Sequence, residues 1–235
     1  MSTLNILSGG AAQGLVASLT ATFKAPTGFD IAGEFGAVGI MADKLRKGTP
    51  ADIVILTAAL VAKLAEEELV VATSTTDVGL VETALAVRTG DPRAAVRDAA
   101  DLREALLASD AIFVPDTRAS TAGIHVANVL RKLAIADDVA ARLKIYPNGA
   151  TAMRELAASA ARRPIGCTQS TEIISTNGVT LSGSLPPGCE LATMYTAGIT
   201  IAAAHPQQAR ELIDLLTGAE QQEQRKRAGF IGSRD

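Results

Sequence analysis

Close to its first residue the chain carries the sequence Leu4-Asn5-Ile6-Leu7-Ser8-Gly9-Gly10-Ala11-Ala12-Gln13-Gly14-Leu15. The apolar run up to Leu7 is too short for a helix, and helical spacing begins only at Leu15, Leu19 and Phe23. This pattern predicts a strand, a tight turn of small residues and then a helix. Such a turn attracts an anion, because the first N–H groups of a helix lack partners and lie at the positive end of its dipole.

The composition of the 235 residues is typical of a globular protein, with 48% hydrophobic and 20% charged residues. A formal net charge of −3 provides no basic surface for nucleic acid or acidic membranes. There is no Trp and an aromatic content of only 3%, which argues against stacking platforms for single strands. Because no run of about 18 apolar residues occurs, no membrane-spanning helix is predicted. We expect neither a nucleic-acid partner nor a membrane segment.

The chain has few residues that could bind a metal ion. Cys167 and Cys189 are predicted to be reduced thiols, at least one of them buried, although in a secreted protein they could pair. The histidines, His125 and His205, add no metal-ligand spacing to them. We therefore expect no metal site and no cofactor.

Strand-like and helical patterns alternate along the whole chain, which predicts parallel βαβ units and an α/β fold. Strands are predicted at residues 5–8, 30–35, 52–56, 85–88, 111–114, 143–146, 165–168, 179–182 and 194–203. Helices are predicted at residues 13–24, 38–47, 58–67, 99–108, 122–133, 150–161 and 206–216. Extended apolar segments near residues 81–88 and 189–200 predict two crossings between two lobes, with a ligand cleft between the lobes.

Several turns share one design, in which a strand end is followed by small or hydroxyl residues and then by a helix. They are Ser8-Gly9-Gly10-Ala11, Phe35-Gly36-Ala37-Val38-Gly39, Leu56-Thr57-Ala58, Ser120-Thr121-Ala122-Gly123 and Asn148-Gly149-Ala150-Thr151. A single turn of this kind is ordinary in α/β proteins. Five together predict a site that surrounds a small anion with backbone donors and hydroxyls. None of them has the spacing of a Walker loop or of a dinucleotide fingerprint.

Further segments carry the motifs of one family. They read Lys47-Gly48-Thr49-Pro50-Ala51-Asp52-Ile53-Val54-Ile55, Pro115-Asp116 with Ala122-Gly123, and Arg163-Pro164-Ile165-Gly166-Cys167-Thr168-Gln169. With Leu7-Ser8-Gly9-Gly10-Ala11 and Phe35-Gly36-Ala37, they resemble the molybdate-binding-protein-like branch of the type II periplasmic binding proteins, which includes aconitate-isomerase-like members. The resemblance covers nearly the whole chain. It implies two α/β lobes, joined by two crossing strands, that close over an anion. We expect lobe 1 to comprise residues 1–84 and 196–235, and lobe 2 residues 85–195.

Two positions depart from the pattern of the molybdate binders. Those proteins have a serine in the turn after the second strand, where this chain has Val38 and Gly39. They also tend to have a tyrosine near the position of Gln169, so only Ser8 keeps a hydroxyl for an oxyanion. A compact tetrahedral oxyanion needs many converging donors. A larger carboxylate therefore fits better, with its apolar backbone against Val38 and an amide donor at Gln169.

Candidate catalytic residues follow from the resemblance to aconitate isomerase, which shifts a proton within a tricarboxylate without a cofactor. Such a reaction needs carboxylate clamps and an acid or base near the carbon. The candidates are His125, Thr121 and Cys167, with the alternatives that His125 is a packed or surface residue and Cys167 a buried inert thiol. Arg88 and Arg118 could clamp a carboxylate, although Arg118 could equally be a solvated loop charge. The predicted ligand-binding residues are Ser8, Gly9, Gly10, Ala37, Val38, Thr57, Arg88, Arg118, Ser120, Thr121, Ala122, Asn148, Gly149, Thr151 and Gln169.

Two functions from different classes are consistent with these features. The first is a cytoplasmic, cofactor-independent isomerase that moves a proton in a small di- or tricarboxylate. The second is a non-catalytic binding protein for a small anion, such as a carboxylate or a molybdate-like oxyanion, belonging to an ABC-type uptake system with a permease partner. No export signal is visible ahead of the first strand, which favours the cytoplasm. If a signal has been removed, the periplasm is expected instead.

Overall fold

The α/β alternation predicted from the sequence is confirmed in the structure, a computed structural model that describes residues 2–232. The chain divides into two units, of which unit 1 comprises Met1–Val81 and Thr193–Asp235 and unit 2 comprises Glu82–Ala192. Both divisions fall three residues before the lobe boundaries expected from the sequence. The chain passes between the units within two strands, at residues 81–82 and 192–193.

Unit 1 is built around a sheet of mainly parallel strands with helices between them. Its elements are β1 (Thr3–Gly9), α1 (Gln13–Thr27), β2 (Asp30–Gly36), α2 (Val38–Arg46), β3 (Ile53–Thr57), α3 (Ala58–Glu66), the first part of β4 (Thr76–Arg88), β9 (Ala192–Ile199), α9 (Pro206–Thr217) and α10 (Gln222–Arg227). The strand order is β2-β1-β3-β9, with β9 antiparallel to β3. Helix α1 buries one apolar face, Leu15, Val16, Leu19 and Phe23, in the unit's aliphatic core. It ends at Gly28, whose φ of 71° gives a left-handed C-cap.

Unit 2 repeats this arrangement on a second sheet. Its elements are the remainder of β4, α4 (Ala99–Ala108), β5 (Ala111–Pro115), α5 (Thr121–Lys132), α6 (Ala136–Val139), β6 (Leu143–Tyr146), α7 (Gly149–Ala157), β7 (Pro164–Gln169), α8 (Ser170–Ile174) and β8 (Val179–Ser184). The strand order is β4-β7-β5-β6, and β8 pairs with β4. Strand β5 is buried along its whole length, as expected for a parallel strand covered on both faces.

The strand directions place the candidate turns at one edge of each sheet. In unit 1 the parallel strands β1, β2 and β3 end at Gly9, Gly36 and Thr57, and α1, α2 and α3 begin beyond them. In unit 2 the parallel strands β5, β6 and β7 end at Pro115, Tyr146 and Gln169, followed by α5, α7 and α8. The carboxyl edge of an open α/β sheet is where such folds bind ligands.

The structure corrects the bounds of three predicted elements. The strand expected at residues 85–88 is the end of β4, which begins at Thr76. The strand expected at residues 194–203 ends at Ile199, because Thr200 begins a turn in which Ala203 N–H donates to the Thr200 carbonyl at 3.2 Å. The helix expected at residues 150–161 ends at Ala157, and the Arg88 guanidinium donates to the Ser159 carbonyl at 2.6 Å just beyond it. The short helix α8 was not predicted, because its five residues are too few to show periodicity. None of the helices within residues 2–232 is long and apolar enough to cross a membrane.

Candidate functional site

The carboxyl edge of unit 1 carries the first group of predicted ligand residues. Gly9 lies opposite Gly36 in the β1–β2 register, and Thr57 lies opposite Tyr195 in the β3–β9 register. A Cβ atom on Gly9 would lie only 2.8 Å from Val38 Cγ1 and 2.9 Å from Tyr195 Cε1. Glycine is therefore needed at position 9 because a valine and a tyrosine pack directly against its backbone. Val38, which the sequence analysis expects to contact the apolar backbone of a ligand, thus lies against Gly9 together with the buried Tyr195.

The hydroxyl of Ser8 is directed at backbone carbonyls. Ser8 is fully buried, and its Oγ lies 2.9 Å from the carbonyl oxygen of Gly9 and 3.3 Å from that of Ile55. Because both neighbours are acceptors, the hydroxyl proton is used within the unit. Ser8 can donate to a ligand only if it gives up these bonds.

The helix starts at this edge differ in how their amides are satisfied. Thr57 caps α3, since its Oγ1 accepts from Leu60 N–H at 3.4 Å. By contrast, Gly9, before the 3₁₀ turn that contains Gly10, and Ala37, before α2, provide no side-chain cap. The first amides after Gly9 and Ala37 thus have no side-chain acceptor there, which leaves them suited to an anion.

In unit 2 the loop between β5 and α5 is held by Asp116. Its Oδ1 accepts from the backbone N–H of Arg118 at 2.7 Å and of Ala119 at 3.0 Å. Asp116 therefore organises the turn, whereas Ser120, the N-cap of α5, makes no side-chain cap bond. The loop also lies tightly against α5, because a Cβ on Gly123 would overlap the Asp116 carbonyl group.

Two of the predicted ligand residues lie where this loop meets α5. Arg118 is in the loop, and Thr121 is the first residue of the helix. Arg118 is exposed, and its guanidinium makes no ion pair or side-chain hydrogen bond within the part of the chain that the structure describes. Thr121 is half-buried, and Ala122 behind it is fully buried. A free guanidinium beside an uncapped twelve-residue helix offers two kinds of donor to one carboxylate.

His125 lies one helical turn after Thr121 on the same face of α5, where side chains four residues apart are neighbours, with about 5–6 Å between their Cβ atoms. Its Nε2 lies 2.8 Å from the Cys189 carbonyl oxygen. Since a carbonyl only accepts, Nε2 carries the proton of the neutral ring, and Nδ1 is left as a basic nitrogen. The half-buried imidazole is thus fixed in orientation by a bond within unit 2.

Gln169 ends β7 and is almost completely buried. Neither its Nε2 nor its Oε1 has a hydrogen-bond partner among the described residues, and the same holds for the hydroxyls of Thr83 and Thr171. Thr83 is the register partner of Gln169 in the β4–β7 pair. The sequence analysis proposed Gln169 as a ligand-binding residue but did not propose the two threonines. A polar residue inside the apolar run Val81–Val87 was the available signal for Thr83.

The turn before α7 is already satisfied from within the protein. Asn148 Oδ1 caps the Thr151 N–H at 2.8 Å, and the Thr151 hydroxyl accepts from Arg154 at 3.0 Å. The amides of Gly149 and Ala150 donate to the buried carboxyl of Glu172. This turn is therefore the weakest of the five as a site for an external anion.

Glu172, which sequence reasoning missed, occupies the position that an anion would take at the start of α7. Thr168 Oγ1 donates to its Oε2 at 2.6 Å, and the backbone N–H of Gln169 donates to the same carboxyl. Burial raises the pKa of Glu172 above its ordinary value, and the donors that converge on the carboxyl oppose that rise.

Two predicted residues lie apart from this edge. In the antiparallel β4–β7 pair, Thr83 meets Gln169 at the carboxyl end of β7, so Arg88 lies toward the other end of β7, about 17 Å along the strand at 3.3 Å per residue. The Arg88 guanidinium is engaged there by Asp91, with an Nε–Oδ2 distance of 2.7 Å. Cys167 is packed in the apolar core of unit 2, and burial raises the pKa of its thiol to about 12. The burial and the raised pKa favour the alternative in which Cys167 is a buried inert thiol rather than a catalytic residue.

Metal-ligating residues, thiols and cavities complete the description of the two units. No group of three or more metal-ligating side chains occurs within residues 2–232. Cys167 and Cys189 are both free, buried thiols. Surface cavities of about 270 and 320 Å³ lie near Arg162 in unit 2 and near Phe230 in unit 1, and one of about 510 Å³ lies along α3 and includes the turn residue Ala58.

The sequence and the fold both have relatives among known proteins. Aconitate isomerase from Pseudomonas sp is 23% identical over 227 residues, which cover 92% of this chain and 82% of that enzyme. The periplasmic molybdate-binding protein of Azotobacter vinelandii superposes with a TM-score of 0.80 at 18% identity, covering 98% of this chain and 100% of the other. The sulfate-binding protein SubI from Mycobacterium tuberculosis H37Rv superposes with a TM-score of 0.74 at 18% identity, covering 98% and 86%.

At these identities the two structures establish the fold alone, which is that of the type II periplasmic binding proteins, as predicted. The family described as bacterial extracellular solute-binding protein matches residues 4–231, nearly the full chain. This chain therefore belongs to the bacterial extracellular solute-binding protein family.

Proposed function

We propose that the protein binds a small di- or tricarboxylate and shifts a proton within it without a cofactor. The observation that carries the proposal is the arrangement around the start of α5. Arg118, unpaired among the described residues, lies in the loop before it, and the uncapped helix start lies one turn from the oriented imidazole of His125. Aconitate isomerase, a relative over 92% of this chain, supports a tricarboxylate such as aconitate as the substrate. For this function we propose a cytoplasmic location.

In this reaction each group on α5 has a definite role. One substrate carboxylate accepts from the Arg118 guanidinium and from the first amides of α5, beside the hydroxyl of Thr121. The Nδ1 atom of His125 takes a proton from a carbon next to a carboxyl group and becomes positively charged. The double bond of the substrate moves by one position, and the imidazolium returns the proton to the far carbon. No atom or electron is gained or lost overall.

The experiment is to incubate the pure protein with cis- or trans-aconitate in deuterated water and to follow solvent exchange by NMR. We expect exchange with the wild type and a loss of about 100-fold or more in His125→Gln, the range in which general bases contribute. His205→Gln is the matched control, because His205 packs edge-on against Phe29 in unit 1, with ring centroids 4.9 Å apart. Equal exchange in His125→Gln and wild type would remove His125 from the mechanism. The absence of both solvent exchange and interconversion of isomers across a panel of unsaturated polycarboxylates, followed in the same NMR spectra, would refute isomerisation.

A second function is favoured by the family match and by the uncapped turns of unit 1. It is non-catalytic binding of a small anion, as receptor of an uptake system with a permease partner at the periplasmic side of the membrane. Calorimetric titration separates the two functions. Tight binding of molybdate or sulfate without any proton exchange in carboxylates supports the receptor, whereas carboxylate binding with exchange supports the isomerase.

A further inference from the structure

Three buried polar side chains of unit 2 lack hydrogen-bond partners within residues 2–232. Thr83 is 1% exposed, and Gln169 and Thr171 are each 3% exposed. The unpartnered atoms are the two hydroxyl oxygens and both polar atoms of the Gln169 amide. Buried polar groups in folded proteins are nearly always paired, because losing water without gaining a partner is costly. An amide with both ends unpaired therefore indicates a partner from outside the protein.

The placement of these residues favours a single site around Gln169. Thr83 and Gln169 are opposite each other in the β4–β7 register, so their side chains stand on the same face of the sheet. Thr171 follows in α8, two residues further on. Gln169 ends β7 at the same edge where β5 ends and α5 begins. Arg118 lies in the loop just before α5, and His125 lies in its second turn.

The chemistry of Gln169 limits what can bind there. A carboxamide presents one donating side and one accepting side, and the threonine hydroxyls can act in either sense. A fully deprotonated carboxylate or oxyanion has acceptors only, so it would satisfy Nε2 but place its lone pairs against Oε1. A neutral carboxyl group matches both sides, since its O–H donates to Oε1 while its C=O accepts from Nε2.

We propose that Gln169, supported by Thr83, binds one carboxyl group of the substrate in its protonated, neutral form. This inference rests on the proposed carboxylate substrate and specifies the state in which one of its carboxyl groups is held. It also gives Gln169 a part in the reaction. A carbon next to a neutral carboxyl loses a proton more readily than one next to a carboxylate, because the charge that develops is not beside an existing negative charge.

The inference is tested by the protons that accompany binding. Titration calorimetry of trans-aconitate in two buffers of different ionisation enthalpy measures proton uptake on binding, and we expect about one proton per ligand. Above the ligand's own pKa, the affinity then falls about tenfold for each unit of pH. A monocarboxamide of the same acid has a donor and an acceptor without a proton to gain. We expect it to bind without proton uptake and with an affinity independent of pH.

Substitutions assign the effect to Gln169. In Gln169→Met we expect the proton uptake to disappear and trans-aconitate affinity to fall at least tenfold, while the unliganded variant unfolds at a higher temperature because an unpaired buried amide has been removed. Thr83→Val should lose affinity in the same direction. Gln207→Met is the matched control, since Gln207 is exposed on α9 and bonds Glu211 at 3.2 Å.

Other titratable and charged groups lie on the neighbouring elements, and the carboxylates and the imidazole among them could also take up a proton. They are Glu82 on β4, Asp116 and Arg118 before α5, His125 on α5, Arg154 and Glu155 on α7, Cys167 on β7 and Glu172 on α8. Proton uptake that survives in Gln169→Met and vanishes in His125→Gln or Glu172→Gln would overturn the inference. So would a lower unfolding temperature in unliganded Gln169→Met, which would indicate ordered water or protein partners for the amide. These readouts need no turnover, so the protonated-carboxyl site can stand even if the isomerase activity fails.

Discussion

At the scale of single residues, the close contact between Gly149 and Glu172 determines which group binds the first amides of α7. The backbone of α7 approaches the Glu172 carboxyl so closely that no side chain fits at position 149. The carboxyl accepts hydrogen bonds from the backbone amides that an external anion would otherwise bind. The protein thus supplies its own carboxyl group at the start of α7, whereas the N-cap Ser120 provides no side-chain cap for α5.

Substituting Gly149 with alanine should be strongly destabilising. The new Cβ would overlap Glu172 Oε2 and Thr168 Oγ1, and one of these buried, hydrogen-bonded groups would have to move. We expect Gly149→Ala to lower the free energy of unfolding by about 3 kcal/mol, measured by urea denaturation. Gly232→Ala, where a Cβ meets nothing within 4 Å, is the control. A stable Gly149→Ala protein would show that the Glu172 carboxyl is free to leave this position.

The raised pKa of Glu172 predicts a pH dependence of stability. A carboxyl whose pKa is higher in the folded chain than its ordinary value of 4.5 binds more protons folded than unfolded. Its contribution is therefore complete below pH 4.5 and is lost as the pH rises through the raised folded value. In Glu172→Gln this fall should be absent from urea titrations at a series of pH values. Glu155→Gln, on the exposed face of α7, should keep it, and an unchanged slope in Glu172→Gln would contradict the assignment.

A sequence indicates the role of a residue only where its partner lies a few positions away in the chain. Asn148 and Thr57 cap helices through bonds to residues three positions away, which a sequence displays directly. Glu172 bonds the amides of Gly149 and Ala150 more than twenty residues earlier, and Thr83 meets Gln169 across a strand pair. Such partners depend on strand order and register, which the spacing of apolar residues does not specify.

At the scale of elements, the two helices α5 and α7 start in similar sequence but differ in capping. Asn148 accepts from Thr151 N–H at 2.8 Å, whereas the hydroxyl of Ser120 makes no cap bond. Asn148→Ala should therefore lower the free energy of unfolding by about 1 kcal/mol. Ser120→Ala is the matched variant and should leave unliganded stability nearly unchanged. Equal losses in the two variants, measured by chemical denaturation, would mean that Ser120 does cap α5.

The elements themselves followed well from apolar periodicity. The β1 strand, α1 and the α4 and β5 pair lie where the sequence predicted them, because each has a clear period and a small or polar residue at its boundary. Boundaries failed where tertiary contacts end an element early. Arg88 bonds the chain just after α7, and nothing in the sequence around Ala157 indicates that bond.

At the scale of the whole molecule, ligand binding should be visible as a gain in stability. A ligand that binds only the folded chain stabilises it by about 2.7 kcal/mol at 100 times its Kd. We expect trans-aconitate to raise the unfolding temperature in calorimetric scans and molybdate to raise it much less at equal concentration. The reverse order would favour the oxyanion receptor. Arg118→Ala should reduce the shift with trans-aconitate, because a free guanidinium is lost.

The resemblance implied two crossings between two lobes, and a chain that crosses twice leaves one unit continuous and the other in two pieces. The exact boundaries depend on where contacts change within β4 and at the start of β9. Gly79 and Pro186-Pro187-Gly188 lie a few residues before the two crossings, but they do not specify the boundaries.

The split of unit 1 has a consequence for biosynthesis. Once residue 192 has left the ribosome, every segment of unit 2 is available, but β3 still lacks its neighbour β9 and α1 lacks the helix α9 that packs on it. The buried strand residues Ile53 and Ile55 then lie at an open sheet edge. The nascent protein must keep that edge protected until β9 and α9 have been synthesised, so the translation of these two elements is a period of exposure to aggregation.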